Sequence, residues 1–105
     1  MRPQVITQAG STGATAWIPV DYKQSPFNIG LAVTVGAGVL TYSVEHTFDD
    51  VFDSTVTPVA FSHSTVVSQT TNKDGNYAFP VRAIRLNVTA WTSGAATLTI
   101  LQGLR

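Results

Sequence analysis

Apolar and polar residues alternate one by one through four long stretches of the chain, residues 27–35, 39–48, 83–91 and 96–102. Successive side chains of a β-strand point to opposite faces, so this period of two predicts strands with one buried and one exposed face. No stretch of ten residues shows the 3.6-residue period of an amphipathic helix. The pattern therefore predicts an all-β protein.

The connections between these stretches are short. Gly36-Ala37-Gly38 joins the first two, and Thr92-Ser93-Gly94 joins the last two. Short connections that contain glycine, placed between alternating runs, are typical of β-hairpins. We therefore predict two hairpins, one pairing residues 27–35 with 39–48 and the other pairing 83–91 with 96–102.

Weaker signals fill the rest of the chain. Residues 17–22 predict a short strand that Pro19 restricts to a sheet edge or a bulge, because proline has no N–H for the ladder. Residues 56–61 predict a further strand, residues 49–54 an acidic loop or one helical turn, and residues 70–76 a polar turn. Seven or eight strands separated by turns predict an antiparallel β-sandwich, jelly-roll-like or a small barrel.

The length of 105 residues favours one domain. Residues 1–16 are rich in Gly, Ser, Thr and Ala, and they predict a flexible or extended N-terminal arm or, as the alternative, a short first strand at residues 4–8. The β-sandwich domain is expected to span residues 17–105.

Charge is scarce in this chain. Six basic and six acidic residues give a net charge of zero, and charged residues make up 11% of the chain against about 25% in a typical domain. A neutral chain of this kind argues against nucleic acid or an anionic membrane surface as partner. The outward strand positions carry threonine and serine instead of charge, which is a weak defence against edge pairing. This composition favours a protein that works inside an assembly.

The chain offers little for catalysis, cofactors or metals. It has no cysteine, which excludes disulfide scaffolds and thiol chemistry, and it has neither a run of 18 apolar residues nor the apolar start of a signal peptide. Its acidic residues Glu45, Asp49, Asp50 and Asp53 do not follow the order of a calcium loop, and they are expected to be solvated loop carboxylates or caps of one helical turn. We predict no catalytic residue, no cofactor and no metal.

Two histidines and several aromatic side chains remain. His46 lies on the apolar register of its strand and is expected to be a core or interface residue, whereas His63 lies in a bend. Trp91 falls on the polar register, where it would point outward as a contact residue. The alternatives are that both faces of its strand are covered or that a bulge reverses the register. The candidate interface residues are Trp17, Tyr22, Phe52, Arg82, Arg85 and Trp91.

From about Trp17 onward, the chain resembles a group of small proteins encoded among phage and prophage virion genes. The resemblance is carried by the segments at residues 42–51, 74–88 and 94–103, which read YSVEHTFDDV, DGNYAFPVRAIRLNV and GAATLTILQG. Small β-rich virion proteins of this size commonly decorate or cement capsids. The group brings no catalytic motif.

The resemblance implies a non-enzymatic structural protein, made in the host cytoplasm and located on the capsid surface of a virion. Such a capsid decoration or cement protein would form a homo-oligomer and bind the major capsid protein, with an N-terminal arm that orders on binding. The alternative is a tail- or fibre-associated module that binds host glycans through Trp91 or Tyr22, or that acts as a ring adaptor.

Overall fold

A computed structural model of the chain describes residues 4–20, 22, 28–36 and 38–102. Two antiparallel sheets of four and five strands pack face to face, which confirms the predicted all-β sandwich. None of the described segments is a helix that could cross a membrane. The strands are β1 (Gln4–Ala9), β2 (Gly13–Ala14), β3 (Ile18–Pro19), β4 (Ile29–Val35), β5 (Leu40–Thr47), β6 (Phe61–Ser62), β7 (Lys73–Tyr77), β8 (Ala83–Trp91) and β9 (Ala95–Gln102).

The strand order is that of a jelly roll. The first sheet has the order β1-β9-β4-β7, and the second has the order β2-β8-β5-β6, with β3 also paired to β8. If β2 and β3 are counted as one interrupted strand, the first strand pairs with the last, the second with the next to last, and so on inward. The chain is thus one long hairpin that has been rolled into two sheets.

Both predicted hairpins are wrong. Strands β4 and β5 lie in opposite sheets, and so do β8 and β9, so each short connection is an arch between the sheets. A hairpin and an arch both leave alternate residues facing the core, and alternation therefore cannot distinguish them. The actual partner of β4 is β9, with Val33 opposite Leu98, and that of β5 is β8, with Val44 opposite Leu86.

The two arches lie against each other. The Val39 amide donates to the Ser93 carbonyl at 3.1 Å, and the Thr92 and Ser93 amides donate to the Val39 carbonyl at 2.9 and 3.0 Å. Their close approach requires glycine on both sides. A Cβ at position 38 would lie 2.5 Å from the Ser93 carbonyl oxygen, and Gly94 has a φ of +88°, which favours glycine.

The core lies between the sheets and is built from the alternating residues of the four long strands. Burial of each large aliphatic side chain stabilises the fold by about 1.5–3 kcal/mol. Every buried side-chain nitrogen and oxygen in the described ranges has a hydrogen-bond partner. The fully buried aliphatic residues of the long strands are Ile29, Leu31, Val33, Leu40, Val44, Ile84, Leu86, Val88, Leu98 and Ile100.

Two of the weaker predictions are also wrong. Residues 70–76 were expected to form a turn, but β7 occupies most of them because β4 provides a ladder partner for each of its residues. The expected strand at 56–61 is reduced to β6, since residues 56–60 belong to a loop with no strand. Pro19 is at a sheet edge as predicted, in the two-residue strand β3.

In the described part of the segment at residues 1–16, which begins at Gln4, the structure contains the alternative, a first strand. The backbone of β1 pairs with β9 over six residues, Ile6 packs against the core, and the Thr7 and Thr97 hydroxyls lie 3.0 Å apart. Residues 13–14 form β2 in the opposite sheet. The described residues of this segment therefore belong to the sandwich.

Candidate functional site

An aromatic surface lies at one end of the sandwich. Phe48, Phe61 and Phe79 are each about half exposed, at 50%, 49% and 48%. They come from three separate elements, because Phe48 follows β5, Phe61 begins β6 and Phe79 follows β7. Their ring centroids lie 5.8 Å (Phe48 to Phe61) and 6.4 Å (Phe48 to Phe79) apart. We call these three residues the phenylalanine patch.

The phenylalanine patch surrounds a buried histidine. The His46 ring lies 5.5 Å from Phe48, 5.9 Å from Phe61 and 5.6 Å from Phe79, measured between centroids. Register explains the contact with Phe61, because His46 and Phe61 are directly opposite each other in the β5–β6 ladder. The edge-to-face and stacked geometries are those in which aromatic rings attract one another.

A second buried ring, that of Tyr77, packs against His46. The Tyr77 ring lies 4.9 Å from His46 and 4.8 Å from His63. Its hydroxyl oxygen is 2.8 Å from His46 Nδ1, so the Tyr77 hydroxyl and this ring nitrogen are hydrogen-bond partners in a buried setting. The rings of the three exposed phenylalanines therefore lie against a buried and hydrogen-bonded base.

Burial keeps this base uncharged near neutral pH. Desolvation lowers the pKa of His46, and the neighbouring His63 lowers it further. Desolvation also raises the pKa of Tyr77, and the charge of Glu45 adds to this rise. The surface above is consequently apolar and neutral, as expected of a contact surface and not of an acid–base site.

His63 has a structural role that fixes its tautomer. Its Nδ1 accepts hydrogen bonds from the Thr65 and Val66 amides, each at 3.0 Å, so the proton must be on Nε2. That nitrogen lies 2.8 Å from the Asn76 carbonyl oxygen, to which it donates. The imidazole thereby ties the turn after β6 to strand β7.

In the part of the chain that the structure describes, neither histidine has the partners of a catalytic triad. Among the described residues, no carboxylate forms an ion pair or hydrogen bond with His46 or His63. Three surface depressions of about 240–400 Å³ lie on the first sheet and beside the arch at residues 36–38, and neither histidine lines them. The arrangement lacks a base oriented by an acid next to a cleft.

The acidic residues cap the turns of the loop at residues 48–60. Asp49 accepts from the Val59 amide at 2.8 Å, Asp50 from the Phe52 amide at 3.0 Å, and Asp53 from the Thr55 amide at 2.9 Å. No group of three or more acidic or histidine side chains in the described ranges is placed to hold a metal ion. The bond between Asp49 and Val59 also fastens the two ends of the loop.

Phe52 is the most exposed of the candidate interface residues, at 79%. It lies in the same loop as the exposed Val56 and Val59, between Phe48 and Phe61 of the phenylalanine patch. The loop that joins Phe48 to Phe61 in the sequence thus exposes three further apolar side chains.

The other candidate interface residues are occupied by local contacts. Arg85 lies over the Trp17 ring at 4.3 Å and forms an ion pair with Glu45 at 2.7 Å. Arg82 lies 5.0 Å from the Tyr22 ring centroid and 3.7 Å from Asp50. These two cation–ring pairs cover part of the outer side of the second sheet.

Trp91 follows the bulge alternative. The register of β5 and β8 shifts between Thr41 and Tyr42, so the alternation of β8 reverses before Trp91. Its side chain packs against the core and donates from Nε1 to the Gly94 carbonyl at 2.9 Å. Trp91 therefore points toward the core and not outward.

Sequence reasoning missed the phenylalanine patch. A signal does exist in three pairs spaced two residues apart, namely His46 with Phe48, Phe61 with His63, and Tyr77 with Phe79. Such spacing places both rings of a pair on one face of an extended chain. Alternation does not tell, however, that three such pairs from distant segments meet.

Comparison with known proteins identifies the fold but no family. No protein-family model and no curated protein matches the chain. A solved structure of Bacillus endospore appendages, described as a novel family of disulfide-linked pili, matches with a TM-score of 0.51 and 13% identity, covering 99% of this chain and 87% of that one. A chain of infectious bursal disease virus, Gx strain, matches with a TM-score of 0.33 and 12% identity, covering 97% of this chain and 32% of that one.

Proposed function

We propose that this chain is a non-enzymatic structural subunit of a phage or prophage virion, acting as a capsid decoration or cement protein. The observation that carries the proposal is the phenylalanine patch on its buried His46–Tyr77 base. Apolar side chains held rigid at a surface lose little conformational entropy on binding, and exposed patches of this kind are typical of protein contact sites.

The rest of the surface supports the same role. The outward positions of the inner strand β4 carry Gly30, Ala32 and Thr34, and charged residues are few in the whole chain. A face of this kind can lie against a neighbouring protein without burying unpaired charge. The fold is shared with a pilus subunit, which is also an assembled protein, although this chain has no cysteine and cannot form disulfide links.

In the proposed mechanism, Phe48, Phe61, Phe79 and the exposed Phe52 bury themselves against the major capsid protein. Many copies on a regular particle multiply weak single contacts into stable attachment. The protein would be made in the host cytoplasm and would reach the capsid surface during assembly.

Binding to particles tests the proposal. Purified protein is added to particles of the encoding phage that lack it, and co-sedimentation is measured. We expect Phe61→Ser and Phe79→Ser to weaken binding at least tenfold each, because central aromatic residues of an interface contribute about 2 kcal/mol or more.

Val39→Ser provides the matched control. Val39 is 65% exposed but adjoins the start of β5, about 20 Å along the strand from His46. This variant should bind like the parent chain. Equal binding by all variants would overturn the role of the patch. Two results would favour the tail-associated alternative: location of the protein in the tail, or glycan binding that the same phenylalanine substitutions abolish.

A further inference from the structure

The four outer edges of the two sheets differ in how they are protected. The first sheet ends in β1 and β7, and the second ends in the β2–β3 segment and β6. An edge strand presents unpaired N–H and C=O groups to which another strand can add, and natural proteins usually block such addition. The protection of each edge can therefore be compared strand by strand.

Three of the edges carry recognisable protection. Strand β7 begins with the exposed charges of Lys73 and Asp74. Strand β6 is two residues long, and the β2–β3 edge consists of two pairs of residues separated by a break and ending in Pro19. Charge, shortness and proline are the usual means of blocking strand addition.

Strand β1 carries none of these devices. Its sequence, Gln-Val-Ile-Thr-Gln-Ala, has no charge, no proline and no glycine, and its Val, Ile and Thr favour extended structure. One side of β1 pairs with β9 along all six residues, and no described strand pairs with its other side. This is the longest unprotected edge among the described strands.

We propose that β1 pairs antiparallel with β1 of a second copy of this chain, joining two four-stranded sheets into one continuous eight-stranded sheet. This inference deepens the structural role proposed above by naming one partner. A strand that adds to β1 must itself have an unprotected edge of similar length, and among the described strands only β1 of another copy has one. Such self-pairing is an isologous contact with twofold symmetry, which closes and does not propagate.

The exposed face of the joined sheet would be compatible with this pairing. The outward residues next to the edge are Val5, Thr7, Thr97, Thr99 and Leu101, all of them uncharged. No like charges would therefore oppose each other across the twofold axis. Because the paired strand is short, the contact is weak, so the purified chain dimerises only at high protein concentration, and the high local concentration of an assembly favours the dimer further.

Side-chain parity limits the register. Directly opposite residues of an antiparallel pair must point to the same face, and Val5, Thr7 and Ala9 point outward while Ile6 packs against the core. Parity excludes the full overlap of six residues, because Val5 would then lie opposite Gln8. The greatest overlap that remains is five residues, with the twofold axis through Ile6 or through Thr7. Val5 then lies opposite Thr7 in the first register, and Thr7 lies opposite itself in the second.

Cysteine cross-linking tests the pairing, because the chain has no cysteine of its own. Opposite residues of a β-pair are 4.5–5.5 Å apart at Cα, within the range of a disulfide. We expect covalent dimers either from Thr7→Cys alone or from an equal mixture of Val5→Cys and Thr7→Cys chains. These covalent dimers should form at least tenfold faster than those of Thr34→Cys. Thr34 is exposed on the same sheet face but lies within the inner strand β4.

A second measurement guards against chance oxidation. Thr7→Lys adds the protective charge that β1 lacks, and it should abolish the concentration-dependent dimer in sedimentation, whereas Thr34→Lys should not. Cross-linking no faster than the Thr34→Cys control, or a dimer that survives Thr7→Lys unchanged, would overturn the inference. These tests use the purified chain alone, so they can fail while particle binding through the phenylalanine patch persists. Conversely, β1 pairing can be observed even if the phenylalanine substitutions leave particle binding unchanged.

Discussion

The Tyr77 hydroxyl and the Nδ1 of His46 lie 2.8 Å apart beneath three half-exposed phenylalanines, so a buried polar contact supports an exposed apolar surface. Each group is the hydrogen-bond partner of the other in a buried setting. The pair therefore links the stability of the fold to the geometry of the proposed contact surface.

Tyr77→Phe removes one half of this pair. The His46 nitrogen then loses its partner while it stays buried, which costs about 1–3 kcal/mol of the free energy of unfolding. Chemical denaturation followed by tryptophan fluorescence measures the loss. In the double variant with His46→Phe the orphaned nitrogen is gone, so we expect the double variant to be more stable than the sum of the single effects. Simple additivity would contradict this account of the pair.

Stability should fall when the solution is acidified from neutral pH. The pKa of folded His46 is below its ordinary value of 6.5, so the unfolded chain binds more protons between that value and the folded pKa. The contribution of neutral, buried His46 to the free energy of unfolding is complete above pH 6.5. It is lost as the pH falls below that value, at up to about 1.4 kcal/mol per pH unit.

Denaturation at a series of pH values between 7.5 and 5 measures this effect, and the slope in His46→Phe should be smaller. Asp53 does not interfere, because its pKa is lowered from 3.8 and its titration lies further into acid. An unchanged slope in the variant would assign the acid sensitivity to other groups.

Gly38→Ala should destabilise the fold by about 1–3 kcal/mol, because the added Cβ would collide with the backbone of Ser93 and Gly94 in the stacked arch. Gly36→Ala is the matched control in the same connection. A Cβ at position 36 meets nothing within 4 Å, and the substitution should be neutral or stabilising by about 0.5 kcal/mol. Thermal melting compares the two, and equal melting temperatures would contradict the close packing of the arches.

The ion pairs Glu45–Arg85 and Asp50–Arg82 should contribute differently to the free energy of unfolding. Glu45→Ala leaves both Arg85 and Asn87 without their carboxylate partner in a half-buried position, and we expect a loss of about 1–2 kcal/mol. Asp50→Ala breaks a longer and more exposed pair with Arg82, for which about 0–1 kcal/mol is expected. Denaturant midpoints of the two variants test this order, and a reversal would refute it.

The sequence was a reliable guide to which residues face inward and a poor guide to which strands pair. Alternation correctly placed Ile29, Leu31 and Val33 in the core, as well as Leu98 and Ile100. It could not show that a three-residue connection crosses between sheets, because that depends on how the arch at Gly38 fits against its neighbour. Likewise, the polar residues of β7 form a strand only because β4 is available beside them.

The site was less predictable than the fold. His46 was correctly expected on an apolar register, but Phe48, Phe61 and Phe79 were not recognised as one surface. They are brought together by long-range pairing, which a local pattern does not contain. The bulge that turns Trp91 inward is one of the alternatives that the sequence leaves open, and the structure contains it. Alternation alone could not choose between the inward and outward positions of this side chain.

The rolled-hairpin topology has a consequence for how the chain reaches this structure. Its outermost ladder joins Gln4 to Ile100, and closing so long a loop is entropically costly before any contact forms. Folds dominated by such distant pairings fold in milliseconds to seconds, not microseconds. During synthesis β1 leaves the ribosome before the other eight described strands and its partner β9 leaves after them, so β1 stays unpaired until the rest of the sandwich has been translated.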